Sequence, residues 1–406
     1  MPHMLAKQVF AACVVLSVAK LATAQCMGEW VAGSGTPGFT LSVSPSSSRF
    51  VGRMMTWDPD GTGPQPEVLI AAGTFSEAFG VPANNVAAWD GSSWRALGAG
   101  ANHTVQSLTE FQDELVVGGQ FTSAGGVAAS HVAAWNGRSW RAFGAGLPSL
   151  DAHGLATFNG DLIASNGYTV NRWNGTVWQT IGTASSPIYG LGVYRNELIA
   201  IADFQTIGGV QAAGVAAWNG QSWRSLGTNS GSIARGITEY RGELIVVAGA
   251  VRAWNGSTWR VLGPNSPDGR YLGVYHEDLI VGGDMRVVGG VPTYSGLSRW
   301  NEVQGWRAFP VAFYTFDSIQ EFRGDLCIGG HIYQQLPQYS AFVRWSEPAI
   351  CAADFDCSGS VGVSDIFAFV NAFLSADPIA DFNRSGGINV VDLFDFVRVW
   401  YSGCND

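Results

Sequence analysis

Six times along this chain a tryptophan, an Asn-Gly or Asp-Gly pair and a second tryptophan return in the same order. Trp89-Asp90-Gly91-Ser92-Ser93-Trp94 is echoed by Trp135-Asn136-Gly137-Arg138-Ser139-Trp140 and by Trp173-Asn174-Gly175-Thr176-Val177-Trp178. It recurs as Trp218-Asn219-Gly220-Gln221-Ser222-Trp223 and Trp254-Asn255-Gly256-Ser257-Thr258-Trp259, and a sixth copy, Trp300 to Trp306, is one residue longer. The second tryptophans stand at 94, 140, 178, 223, 259 and 306, intervals of 46, 38, 45, 36 and 47 residues. Such a period means stacked or circular repeats, each unable to bury its apolar face alone.

Asn-Gly favours a turn with positive φ at its centre, so each copy reads as a hairpin between runs such as Val86-Ala87-Ala88-Trp89 and Trp94-Arg95-Ala96-Leu97. Upstream lies a second hairpin, with Leu108-Thr109-Glu110-Phe111 and Glu114-Leu115-Val116-Val117-Gly118-Gly119 about a polar turn at Gln112-Asp113. Its counterparts turn at Asn159-Gly160, Arg195-Asn196, Arg241-Gly242, His276-Glu277 and Arg323-Gly324. Four short strands per unit predict an all-β chain, a β-propeller. A seventh unit starts near Val311, reaches Phe342-Val343-Arg344-Trp345 and lacks its second tryptophan strand. The missing piece stands upstream, at Gly28-Glu29-Trp30-Val31-Ala32-Gly33. We therefore expect seven blades, the last closed by an N-terminal strand that removes an exposed edge.

Composition narrows the rest. Charged residues are 13%, against roughly 25% in an ordinary domain, and Gly numbers 53, which excludes coiled coils. Hydrophobic content of 47% excludes disorder, and a net charge of -10 excludes a nucleic-acid binder. The apolar run Gln8 to Ala19, followed by Ala22-Thr23-Ala24, reads as a signal peptide over 1–24, so export to a secreted or cell-surface location is expected. Lys20 breaks that run too early for a membrane anchor, and no transmembrane span is expected. Beyond it there is no lysine, which excludes Schiff-base chemistry.

No catalytic constellation is legible. His103, His131, His153, His276 and His331 show no metal-ligand spacing, and Cys327 sits in an alternating strand as a buried thiol. Glu114, Glu197, Glu243 and Asp325 recur in register and could pair across a central channel as a glycosidase pairs its acids. Because they flank a turn in every blade, a solvated turn role is preferred. Longer units carry an insertion, Phe121-Thr122-Ser123-Ala124-Gly125-Gly126-Val127, repeated at Ile207-Gly208-Gly209-Val210 and Val288-Gly289-Gly290-Val291. It could form a binding rim or a cap seated by its Phe.

After Pro348 the pattern changes to loop and helix. Asp354, Asp356, Ser358 and Asp365 occupy positions 1, 3, 5 and 12 of a loop with Gly359 at position 6 and Ser360 at position 7. Asp381, Asn383, Ser385, Gly387 and Asp392 repeat the scheme 27 residues later. Alternate oxygens around a glycine turn suit a hard cation, so two Ca2+ loops are expected, the second weaker.

Two resemblances follow. The pairs Gly118-Gly119, Gly282-Gly283 and Gly329-Gly330 with spaced aromatics resemble Kelch and galactose-oxidase propellers, although Trp stands where Kelch repeats usually carry Tyr. This likeness implies a scaffold and no activity. The duplicated loop-helix, with Asp at position 12 and Cys351 and Cys404 at its ends, resembles the dockerin-like modules of exported planctomycete-type proteins. That resemblance implies a calcium module meeting a cohesin-like or cell-surface partner through positions 10 and 11, here Val363-Ser364 and Val390-Val391. A Cys351–Cys404 bridge is preferred to Cys26–Cys351, and the odd count outside 1–24 leaves at least one cysteine unpaired among Cys26, Cys327, Cys351, Cys357 and Cys404. The chain then divides into 1–24, a propeller over 25–349 and a small helical calcium domain over 350–406. The expected function is an exported, monomeric, non-enzymatic propeller that binds a glycan or extracellular protein; the alternative is a carbohydrate-active enzyme working on polysaccharide through the channel.

Overall fold

A computed structural model describes residues 29–32, 39–40, 50–148, 152–227, 233–283, 287–288, 291–292, 296–308, 316–330, 342–346, 355, 361–376, 380, 382 and 387–402. The chain divides into two compact units, Val31–Arg344 and Met1–Trp30 with Trp345–Asp406. Seven four-stranded antiparallel sheets follow one another along the chain, a seven-bladed β-propeller. The first blade is Phe50–Trp57, Val68–Thr74, Val86–Trp89 and Trp94–Ala96, in sheet order as in sequence. In the seventh, Phe316–Phe322, Asp325–Gly330 and Phe342–Ser346 are completed on the outer edge by Glu29–Ala32, the strand expected from the sequence.

Each second strand is an unbroken apolar run because both its faces meet neighbouring blades. Leu115, Val116 and Val117 are fully buried, as are Leu198, Ile199 and Ala200. The core is accordingly a set of seams: one cluster joins Val68 and Trp57 to Leu115, Trp135 and Trp140, and another joins Val51 and Trp89 to Phe322 and Phe342. Within each blade, where the second strand ends against the entrance of the first, glycines such as Gly73 and Gly119 have no room for a side chain. A Cβ on Gly119 would lie 2.2 Å from the Thr104 carbonyl oxygen, and one on Gly73 2.0 Å from that of Phe50.

The tryptophan hairpin is a four-residue loop between paired tryptophans such as Trp135 and Trp140. Its first residue closes it through the side chain: Asn136 Oδ1 accepts the N–H groups of Arg138 and Ser139 at 3.0 and 2.8 Å. The glycine takes the positive φ expected of it, 88° at Gly137. Two-residue primed turns stand in the other hairpin, where Arg195 and Asn196 (φ 46° and 57°) and Gln112 and Asp113 (φ 53° and 62°) both enter the left-handed region. Asn-Gly therefore serves both turns: Asn159-Gly160 (φ 51° and 81°) is a two-residue primed turn, whereas between the tryptophans the Asn side chain closes a longer loop.

Two devices sew blade to blade. The second tryptophan reaches back, its Nε1 donating to the last strand of the preceding blade: Trp140 to Leu97 O at 2.7 Å, Trp223 to Ile181 O at 2.8 Å and Trp259 to Leu226 O at 2.9 Å. The primed turn reaches forward. Tyr194 Oη donates to Gly242 O at 2.9 Å, and Arg195 donates to Gly242 O and Asn255 O, each at 3.1 Å. Arg323 does the same across the closure of the ring, donating from the seventh blade to Asp90 O at 2.6 Å and Glu67 O at 3.1 Å in the first.

The insertion forms a small hairpin in the long blades, as at Ser123–Ala124 with Val127–Ala128 and Thr206–Ile207 with Val210–Gln211. Phe121 and Phe204 are fully buried beneath it, so the capping role holds for these two. The first blade carries an equivalent, Glu77–Ala78 with Val81–Pro82 over buried Phe75.

The C-terminal unit contains helices Val363–Leu374 and Val390–Ser402. Phe369 and Phe396 stack with ring centroids 4.2 Å apart, and Phe355 and Phe382 each meet that stack edge-on. Phe355/Phe382 and Phe369/Phe396 both stand 27 residues apart, the loop repeat of the sequence, so the duplication extends into the core.

Candidate functional site

Blade-flanking acids, calcium loops and the axis of the propeller are the three places where chemistry could gather. The in-register acids do not meet across the axis, nor are they solvated. Each forms an ion pair within its own blade. Glu114 meets Arg141, Glu197 Oε2 lies 2.5 Å from Arg224, Glu243 Oε2 2.6 Å from Arg260 and Asp325 Oδ2 2.6 Å from Arg344. The expected solvated turn role is thereby corrected: the carboxylates are only 15–22% exposed, because the arginine lies along the sheet over them. The fixed role is a cross-strand clamp, which explains the recurrence without catalysis.

Of the calcium-loop residues, Asp354, Asp356, Ser358, Ser360, Asp381, Asn383 and Ser385 lie outside the described residues, as do Cys26, Cys351, Cys357, Cys404 and His331. Asp365, Gly387 and Asp392 are described. Asp365 and Asp392 are fully buried at the starts of the two helices. Asp365 Oδ2 accepts the Gly362 N–H at 2.7 Å, and Asp392 Oδ2 accepts the Asn389 N–H at 2.8 Å. Among the described residues no three His, Cys, Asp or Glu side chains gather in a metal-binding cluster.

Cys327 is a free, buried thiol, and burial pushes its pKa far above the ordinary range. His131 faces the Gly119 carbonyl through Nδ1 at 3.0 Å, and His276 stacks on Tyr275. His103 Nδ1 lies 2.9 Å from the Thr104 N–H. His153 lines the axis.

The innermost strands of all seven blades enclose a cavity of about 290 Å³. Its floor is an apolar ring that runs from Met54 in the first blade, through Leu155 and Ile237, to Ile319 in the seventh. Above it lies a polar layer. His153, Tyr189, Arg235, Arg270 and Asp317 each stand six residues upstream of the primed turn of their blade, and all line the cavity. Gln106 holds this position in the second blade, and its Oε1 is buried without a hydrogen-bond partner. The strand register slips at this point in the first, second, fourth and seventh blades, a bulge that re-aims the chain at the strand entrance. Strand entrances pair with second-strand ends, from which the insertions leave, so the polar layer opens on the insertion face.

Between the two layers most blades carry a small residue, Ser107, Gly154, Gly190, Gly236 or Ser318, which lets the strands crowd. The exceptions are Arg53 and Tyr271, and they face the seventh blade. Tyr271 Oη donates to Asp317 Oδ1 at 2.6 Å, while Arg53 Nη1 donates to Gly52 O at 2.7 Å and to Asp317 O at 3.4 Å. Burial, reinforced by the Asp317 charge, pushes the Tyr271 phenol well above its usual range, so it stays a donor. Burial draws the Arg53 guanidinium down, opposed by Tyr271 and Asp317. Arg235 and Arg270 stay exposed at the mouth.

The fold is similar to that of an extracellular domain from B. thetaiotaomicron in a protein described as a hybrid two-component system. The TM-score is 0.51 at 10% identity, over 78% of this chain and 39% of that one. An extracellular domain described as that of a one-component system gives 0.53 at 9%, over 78% and 40%. The chain thus spans about two fifths of their length. The WD40 propeller domain of Doa1 aligns over 76% of this chain at 13% identity, with a TM-score of 0.47. At these identities the likeness concerns fold alone. No family model and no curated protein matches the chain, and no helix among the described residues is long and apolar enough to cross a membrane.

Proposed function

We propose that this is an exported binding protein whose propeller takes a glycan or an extracellular protein segment at the mouth of its axial cavity. The observation that carries this reading is the polar layer: one position, occupied by a different chemically active side chain in nearly every blade, over an apolar floor. A recess with few convergent polar groups over an apolar lining is how proteins build ligand sites. A glycan array probed with the full chain tests it, beside a polysaccharide panel assayed for turnover. Binding without turnover supports the reading. Turnover abolished by Asp317→Asn would replace it with the carbohydrate-active enzyme.

The C-terminal unit is proposed as a dockerin-like calcium module that attaches the propeller to a cohesin-like or other surface partner. Asp354, Asp356, Ser358, the Ser360 carbonyl and Asp365 would hold one Ca2+. Asp381, Asn383, Ser385, the Gly387 carbonyl and Asp392 would hold another. Full burial of the position-12 carboxylates Asp365 and Asp392 fits a cation, since a buried charge needs compensation. The helices leave large apolar side chains exposed at equivalent places: Val363 and Val390, Phe367 and Phe394, Leu374 and Tyr401, the last 87% accessible. Their spacing of four and then seven residues keeps each set on one helix face, which supports docking. Calcium should raise the melting temperature and helicity of the full chain, EGTA should reverse both, and Asp365→Asn with Asp392→Asn should remove the response. An unchanged melt sinks the calcium reading.

A further inference from the structure

The geometry points to an acidic saccharide as the ligand of the axial cavity, with its sugar carboxylate held by Arg235 and Arg270. This inference deepens the proposed binding role and rests on it. Among the described residues three guanidinium groups line the cavity, Arg53, Arg235 and Arg270, against one carboxylate, Asp317. The molecule as a whole carries a net charge of -10, so this is a local reversal of sign. The Asp317 carboxylate accepts from the Tyr271 hydroxyl, and Arg53 donates to the Asp317 backbone carbonyl. Three guanidinium groups against one carboxylate leave the described lining net positive whatever their pairing.

Arg235 is exposed and makes no side-chain hydrogen bond or ion pair within the described residues, unlike the arginines clamped along the sheets. Arg235 and Arg270 occupy the same register position in adjacent blades, each with its backbone N–H fixed to its second strand, by 3.0 Å to Val247 O and 2.7 Å to Gly282 O. Planar guanidinium forks on a rigid backbone suit a carboxylate, which accepts two parallel N–H bonds. Tyr189, one blade before Arg235 and 41% exposed, offers a ring face to the body of a sugar.

Size decides between a sugar and an acidic peptide. About 290 Å³ over an apolar floor lies at the low end of the roughly 300–1,000 Å³ of ligand pockets, room for a terminal sugar residue rather than an extended chain.

The test is titration calorimetry of the full chain with trigalacturonate, its methyl ester, neutral galactotriose and a tetraglutamate peptide at one salt concentration. Trigalacturonate should bind at least tenfold tighter than the ester, which keeps the sugar body but caps each carboxylate with a neutral methyl, and than the peptide. Arg235→Ala and Arg270→Ala should each weaken it at least tenfold, with Arg235→Gln repeating the loss and Arg138→Ala, on an outer hairpin, leaving it unchanged. Near-ultraviolet circular dichroism confirms that each variant is folded. Equal binding of the ester, equal binding of the peptide, or variants without effect overturns the inference. If all four probes fail while the glycan array finds another ligand, the inference falls and the binding role stands. If the array is blank as well, the binding role falls with it.

Discussion

The outer hairpin and the entrance of the innermost strand are the opposite extremes of the same blade. At the outer hairpin the first six blades carry the same chemistry: paired tryptophans, an Asx-closed loop, and in four of them an indole N–H donated to the preceding blade. At the strand entrance, six residues upstream of the primed turn, the blades carry Gln106, His153, Tyr189, Arg235, Arg270 and Asp317. Both positions belong to one repeat, yet only one is copied. What is copied answers a problem every blade shares, burying its faces against its neighbours. What differs faces an axis where one object meets all blades at once, and seven identical side chains there would only repel or crowd.

Several substitutions would break or sharpen this contrast. The largest effect is expected at the copied position: Trp140→Ala should cost about 3–5 kcal/mol of stability, because it opens a buried seam. Denaturant unfolding measures it, and a loss under about 1 kcal/mol would mean that the hairpins are decoration. Next, Trp140→Phe should cost about 1 kcal/mol by removing the indole N–H from the Leu97 carbonyl, which keeps the Gly100 N–H as its other donor. Trp178→Phe should cost less, since Trp178 Nε1 has no partner to lose. Equal losses would show that packing alone, and not the hydrogen bond, ties blade to blade. Arg323→Ala, which breaks two exposed bonds across the ring closure, should cost about 1 kcal/mol and appear mainly as faster unfolding.

The smallest effect is expected at Asp90, the one aspartate among asparagines at the outer loop. Hydrogen bonds from the Ser93 N–H and from Ser92 hold its carboxyl far below the usual range. A carboxyl depressed by folding stabilises above its unfolded pKa of about 3.9 and loses that contribution as pH falls through the folded value. Asp90→Asn should therefore change stability at pH 7 by only a few tenths of a kcal/mol while flattening the acid limb of a pH titration of melting temperature. A large loss at neutral pH would show that the charge itself, rather than the Asx bond, closes this loop.

The same contrast explains what could be read from the sequence. Trp94, Trp140, Trp178, Trp223, Trp259 and Trp306 announced the blades because a seam needs the same residue each time, and the stray strand near Trp30 was found because one copy was missing. The axial residues were invisible to a search for repetition, since their only shared property is a distance from a turn. His153 was set aside for lacking a metal spacing, whereas counting six back from Asn159 would have aligned it with Arg235 and Asp317. The acids were found but assigned to solvent, because a sequence shows Glu114 beside a turn and not Arg141 lying two strands away along the sheet. At the C-terminus, loop spacing singled out Asp365 and Asp392, and each is buried and accepts the N–H three residues before it at the first turn of a helix.

The sheet that holds both Glu29–Ala32 and Phe342–Ser346 has a consequence for how the molecule comes into being and how it bears load. Its outermost strand leaves the ribosome some three hundred residues before the strand it must pair with, so that segment has no partner until nearly all the ring has been made. Closure is therefore a late and long-range event, and ring completion should be slow compared with the folding of a single hairpin. The same adjacency means that tension applied between the two ends of the propeller is borne by one sheet before any other. That sheet is the fuse of the ring.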